Sequence, residues 1–353
     1  MAVLLRDKFY GCIVGCHAGS AMGAAVEGWN YPEIEEKYGL LDHFMPYEHY
    51  ENGWLREPGT MEDGVERQKL MIYAIMDKGG RVTAEDVRKA WLSYANPEAG
   101  GLISEPFERT LLAMAKSGIP ARDIGKYCDY AGLNSFARAC HAIGLINAGN
   151  VKTAKEDILE VGQLYQVSNS RGLLWACVTG VGIAAATIPG ATVESVLEAI
   201  YENCDQDMVV KELRTHVENT KNCKDIRELR QYFDTVYNGI GMPYCASFAN
   251  EVVTKGVCIF QMVKGDVKQA IISGVNMGRD TDCVSAVAAG LTGALSGTST
   301  IPKEWIEQVD YATSVNPHTC TKRTVKENSD GIYEAFKKRL KAEREYAELM
   351  DID

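Results

Sequence analysis

Four glycines at strict four-residue intervals, Gly11, Gly15, Gly19 and Gly23, run through residues 4–24. On a helix that spacing puts them on one side and leaves a smooth groove where another backbone can come close. Glycine in a helix interior costs about 1 kcal/mol relative to alanine, so a helix that carries four of them has to be stabilised by its packing. Residues 4–24 are therefore expected to form a buried helix in a fold of closely packed helices. Residues 274–297, GVNMGRDTDCVSAVAAGLTGALSG, have a similar character. There Ala286, Gly290, Gly293, Ala294 and Gly297 punctuate an apolar run that predicts a second buried helix open to near neighbours.

Helical spacing recurs along the rest of the chain, over residues 58–79, 83–91, 105–117, 121–130, 134–148, 153–165, 171–187, 192–203, 206–218, 225–236, 244–264, 266–273, 302–313 and 324–348. Alternating β-branched runs are nearly absent, and no repeat of solenoid period occurs. The expected fold is all-α: one domain over residues 1–353, a compact orthogonal helical bundle with the first and late helices at its centre. Residues 29–54, with Trp29, His43, Tyr47, His49, Tyr50 and Trp54, are expected to form a long ordered loop or lid.

A net charge of −11 argues against a nucleic-acid surface. Residues 9–26 carry no formal charge, but four glycines, His17 and Ser20 make the run too polar for a membrane span or a signal segment. Eleven cysteines contain no CxxC pair, and several lie in apolar helical patterns, which points to a reducing, cytoplasmic setting.

The residues that carry chemistry are mostly acidic. Asp280 and Asp282 stand two apart where the Gly278 turn meets the late apolar helix. One Asp at a helix N-terminus is ordinarily a cap, whereas two at the edge of a dense core also suit a metal ion, and spacing alone leaves both readings open. Glu62 and Asp63 open the helix of residues 58–79, where the helix dipole by itself accounts for acidic residues. Asn134, Arg138 and His141 lie in a small, apolar context, where an arginine commonly partners a buried carboxylate. Thr83 and Asp86 have capping-box spacing, and Ser168, Asn169 and Ser170 are placed to cap the helix that follows them.

Taken together, GCIVGCHAGSAMGAAVEGW, GTMEDG, GLNSFAR and VNMGRDTDCVSAVAAGLTGALSGTSTIPKEW resemble, in that order, the ADP-ribosylglycohydrolase family, whose members remove ADP-ribose from modified side chains. The resemblance implies an all-helical fold holding two divalent ions, magnesium with manganese as the alternative, between an early and a late acidic pair. Carried over by position, the metal ligands are Glu62, Asp63, Asp280 and Asp282. Glu27 and Asp63 are the catalytic candidates, Glu27 as general base, and Asn134, Arg138 and Arg279 line the substrate, the arginines toward a diphosphate. The chain departs from the family pattern at Ser20, Met61, Gly64 and Cys283. The implied activity is metal-dependent hydrolysis of the glycosidic bond to ribose in an ADP-ribosyl group, with an ADP-ribosylated or ribosyl compound as partner. The departures keep two other readings open: a small-molecule ribosyl N-glycosidase, and a non-catalytic binding or structural descendant.

Overall fold

The computed structural model describes residues 3–49, 51–96, 106–237 and 246–351. Tyr50 of the aromatic stretch, and the first residues of the helices expected from 105 and 244, lie outside the described residues. In chain order the elements are α1 (Leu5–Gly23), α2 (Tyr31–Tyr38), β1 (Tyr47–Glu48), β2 (Leu55–Arg56), α3 (Asp63–Lys78), α4 (Ala84–Tyr94), α5 (Pro106–Lys116), α6 (Ala121–Ile124) and α7 (His141–Ile146). They continue with α8 (Val151–Val161), α9 (Arg171–Ala186), α10 (Val193–Asn203), α11 (Lys211–Thr220), α12 (Ile226–Phe233), α13 (Ala249–Val263), α14 (Val267–Val275), α15 (Thr281–Ser296), α16 (Lys303–Val315) and α17 (Val325–Leu349). The fold is all-α, and its one strand pair among the described residues, β1 with β2, is antiparallel with Tyr47 opposite Arg56.

The glycine stripe of α1 lies against α15 along its whole length. A Cβ on Gly11 would stand 2.5 Å from the Gly297 carbonyl carbon, one on Gly15 2.4 Å from the Ala289 carbonyl oxygen, and one on Gly23 2.5 Å from Asp282 Cα. Only backbone fits at such distances, so the spacing seen in the sequence is the imprint of this contact. Residues Leu5–Val26 are long and apolar enough to cross a membrane by composition, yet 89% of that apolar window is buried inside the fold. Around this central pair pack α14, α13, α9 and α17.

The same contact places the acidic residues. Where α1 ends, the Thr281 hydroxyl donates to the Gly23 carbonyl (2.8 Å), fixing the first turn of α15 to the end of α1. A two-way backbone clasp follows: Gly28 N–H donates to the Arg279 carbonyl (2.7 Å) and Arg279 N–H to the Trp29 carbonyl (2.6 Å). The clasp holds Arg279 at φ +67°, a left-handed conformation unusual for a side-chain-bearing residue. Glu27 is thereby held beside the turn that carries Asp280.

Three segments depart from the expected pattern. Residues 29–54 contain α2, started by a capping box in which the Asn30 side chain meets the N3 backbone and Glu33 reaches back to the Asn30 N–H, and also β1. The helix expected over 134–148 is confined to α7, because Asn134 N–H pairs instead with the Ser247 carbonyl (2.9 Å) and Leu133 bridges to Phe248. The pattern over 121–130 ends early: a Cβ at Gly125 would meet Gln166 backbone at 2.5 Å, and only a short 3-10 segment follows α6. The expected caps form, with Thr83 and Asp86 as a capping box on α4 and Ser170 accepting from Leu173 N–H at the start of α9.

Candidate active site

Asp280 is the N-cap residue of α15 and Asp282 lies in its first turn, both fully buried. Asp280 Oδ2 accepts a hydrogen bond from Asn134 Nδ2 (3.0 Å), which also donates to the Ser247 carbonyl. The other oxygen of Asp280 and the Oδ1 of Asp282 are buried without a hydrogen-bond partner. Burial, and then the neighbouring Asp280, push the Asp282 carboxyl well above the ordinary carboxylate range, against the pull of Arg138. One oxygen from each aspartate and the Cys283 Sγ lie within 4.8 Å of one another. Buried, unpartnered carboxylate oxygens are costly unless a cation meets them, so the two aspartates fit a divalent ion; burial pushes the Cys283 thiol well up, away from the thiolate form that ligates metals, and it is a poor ligand for a hard ion.

The early pair is built differently. Glu62 precedes α3 as its N-cap residue, and its Oε1 accepts from the Tyr47 hydroxyl (2.5 Å) and lies 3.1 Å from Arg56 Nε. Asp63 is gripped by Arg138 through two parallel bonds (2.6 and 2.8 Å), and its Oδ2 also takes Arg67 at 2.5 Å. Burial alone would raise the Asp63 carboxyl; the Arg138 and Arg67 guanidiniums outweigh it and hold Asp63 far below the usual range. Arg138 also reaches across to the late pair, its Nη1 standing 3.6 Å from Asp282 Oδ2.

Glu27 follows the short 3-10 segment after α1, at the edge of this cluster. Burial, and then the negative charges of Asp282, Asp280 and Glu62, raise its carboxyl well above the ordinary range. His49 Nδ1 lies 3.6 Å from Glu27 Oε2, and burial keeps that imidazole below its usual value. The fold thus brings Glu27, Glu62, Asp63, Asn134, Arg138, Asp280 and Asp282 into one cluster. Arg279 joins it through its backbone only. Its guanidinium makes two bonds to Glu251 (2.7 and 3.0 Å), a carboxylate that also pairs with Lys255. Sequence reasoning missed Arg56, Arg67 and Glu251. The four-residue step from Asp63 to Arg67 was a readable signal on a helix, whereas Arg56 arrives from β2 and had none.

The family model described as ADP-ribosylglycohydrolase matches residues 1–341. The chain belongs to the ADP-ribosylglycohydrolase family. It is similar to the ADP-ribosyl-[dinitrogen reductase] glycohydrolase of Rhodospirillum rubrum, 22% identical over 317 residues that cover 87% of this chain and 91% of the relative. An uncharacterized protein of Archaeoglobus fulgidus is 23% identical over 312 residues, 86% of this chain and 92% of that one. Among solved structures, one titled ADP-ribosylglycohydrolase-related protein complex shares the fold with a TM-score of 0.64 at 17% identity, covering 95% of this chain and 98% of its own. Members of the ADP-ribosylglycohydrolase family bind divalent metals, and Asp280, Asp282 and Cys283 form a possible site of that kind here.

Proposed function

We propose that this protein is a divalent-metal-dependent hydrolase that cleaves the glycosidic bond to ribose in an ADP-ribosyl group, with magnesium or manganese as its ion. The observation that carries this reading is the pair of buried, unpartnered oxygens, Asp280 Oδ1 and Asp282 Oδ1, beside a carboxyl, Glu27, whose proton affinity is raised. Family membership supports a glycosidase, and the R. rubrum relative is named for removing ADP-ribose from a protein.

When bound, a divalent ion supplies the Lewis acidity that orients ribose hydroxyls and acidifies a water. The protein's own residues do the rest. Asn134 holds Asp280 in register, and Arg138 fixes Asp63 while facing Asp282. Glu27 is the group placed to move a proton. As the C1′ bond to the leaving nitrogen or oxygen breaks, the developing oxocarbenium charge meets a carboxylate-rich wall, a water oxygen bonds to C1′, and Glu27 takes that water's proton as the leaving atom gains one, the carboxyl passing on the proton it accepts. His49 Nδ1 lies 3.6 Å from the Glu27 carboxyl.

The test is release of free ADP-ribose, followed chromatographically, from N- and O-linked ADP-ribosylated peptides with magnesium or manganese and after chelation. Release that chelation abolishes is expected. No release with either ion overturns the reading, and hydrolysis of simple ribosides alone moves the substrate to a small-molecule N-glycoside.

A further inference from the structure

The two acidic pairs face opposite electrostatic surroundings. At the late pair, one oxygen of Asp280 and one of Asp282 are buried with no donor to meet them, and the two carboxyls lie against each other. At the early pair, each carboxylate is already met by buried arginine: Arg56 against Glu62, Arg67 and Arg138 against Asp63. Arg138 does more than neutralise its partner, because its Nη1 also lies 3.6 Å from Asp282 Oδ2 and so places a positive charge between the two pairs. We infer that this centre takes one divalent ion, on Asp280 and Asp282, and that Arg138, aided by Arg56 and Arg67, supplies the positive charge that a second ion would bring.

The charges of the cluster agree with this count. Even with all five carboxylates Glu27, Glu62, Asp63, Asp280 and Asp282 ionised, the most negative charge they can carry, three guanidiniums and one divalent ion complete neutrality. A second would leave two surplus positive charges in a buried site, one ion lying against Arg138. Local shape agrees as well. Gly64 lies beneath the Arg138 guanidinium, and a Cβ there would stand 2.8 Å from Nη1 and 3.0 Å from Cδ. The missing side chain at position 64 is what admits Arg138 to Asp63. A Tyr47 hydroxyl bond of 2.5 Å to Glu62 adds a further tie that an incoming ion would have to break.

This inference rests on the proposed binding of a divalent ion at the late pair, and one measurement separates the two. Metal-free protein is titrated with manganese by calorimetry, and bound ions are counted by native mass spectrometry. One ion per chain is expected, with none in the Asp280→Asn, Asp282→Asn double variant. Arg138→Met, and independently Gly64→Thr, which displaces Arg138, are expected to bind two. Two ions in the parent overturn the inference and leave the proposed function standing; none in the parent overturns both. One ion in the parent and still one in either variant, shown folded by its melting transition, overturns the role given to Arg138. If both variants fail to fold, the parent's count alone decides.

Discussion

Glu27 carries two demands at once. Its folded-state pKa is raised, so whatever stability the carboxyl contributes is present below its unfolded value of 4.5 and is lost as pH rises through the raised value. Burial and three neighbouring carboxylates all oppose its ionisation, so the folded chain favours the protonated carboxyl more than the unfolded chain does. In the proposed reaction a group so placed is suited to proton transfer, and strain of this kind is common where stability yields to function. Glu27→Gln separates the two demands. The amide keeps the shape and drops the charge, so the turnover number is expected to fall by roughly 10²- to 10⁴-fold, the range for loss of a general acid or base. The metal-free variant is expected to melt at or above the parent at pH 8. Enzyme kinetics beside calorimetric melting check this; a variant that keeps its turnover number removes Glu27 from the proton path.

At the scale of the element, the α1–α15 contact decides both fold and site. Because a Cβ on Gly15 would stand 2.4 Å from the Ala289 carbonyl oxygen and 2.8 Å from its carbon, neither partner being a side chain that can rotate away, the helices have to separate to admit one. Gly15→Ala is expected to cost about 3 kcal/mol or more, whereas Gly80→Ala, whose Cβ would meet only Arg339 Cβ at 3.9 Å, stays within about 0.5 kcal/mol. Urea unfolding of the two variants measures the contrast, and equal midpoints would refute the packing argument. This contact was legible in the sequence because it is periodic, and so was the late pair, because Asp280 and Asp282 stand only two residues apart in the chain. The early pair's surroundings were not. Arg56 reaches Glu62 from a two-residue strand, and Arg138 reaches Asp63 across 75 residues from a segment whose small apolar residues read as helix. Spacing records what one element does with itself, and says little about which guanidinium another element will deliver.

Across the whole molecule, a buried polar chain ties four helices together behind the site. His17 of α1 donates from Nε2 to Gln68 Oε1 of α3 (2.9 Å), and the Gln68 amide donates to Cys16 Sγ of α1 (3.3 Å). Cys16 Sγ meets His141 Nδ1 of α7 (3.7 Å), whose Nε2 donates to the Ala286 carbonyl of α15 (3.1 Å). Both imidazoles are neutral in it at neutral pH. Burial, reinforced by the charge of Lys69, pushes His17 down to about 3, and burial pushes His141 down to about 4. Because both folded values lie below the ordinary 6.5, the unfolded chain takes up protons first on acidification. The contribution of each histidine is complete above pH 6.5 and is lost as pH falls, by about 1.4 kcal/mol per unit, until the folded value is reached. Raised carboxyls such as Glu27 and Asp282 titrate in the opposite sense over part of that range, so the parent's pH profile alone does not isolate the effect. The difference between parent and His17→Asn does. Whatever packing the substitution loses is independent of pH, so the parent's stability relative to the variant is expected to decline from pH 6.5 toward pH 4 by about 1.4 kcal/mol per unit. Chemical denaturation of both proteins at several pH values measures that slope, and a pH-independent difference would mean that His17 is protonated equally in the folded and unfolded chains.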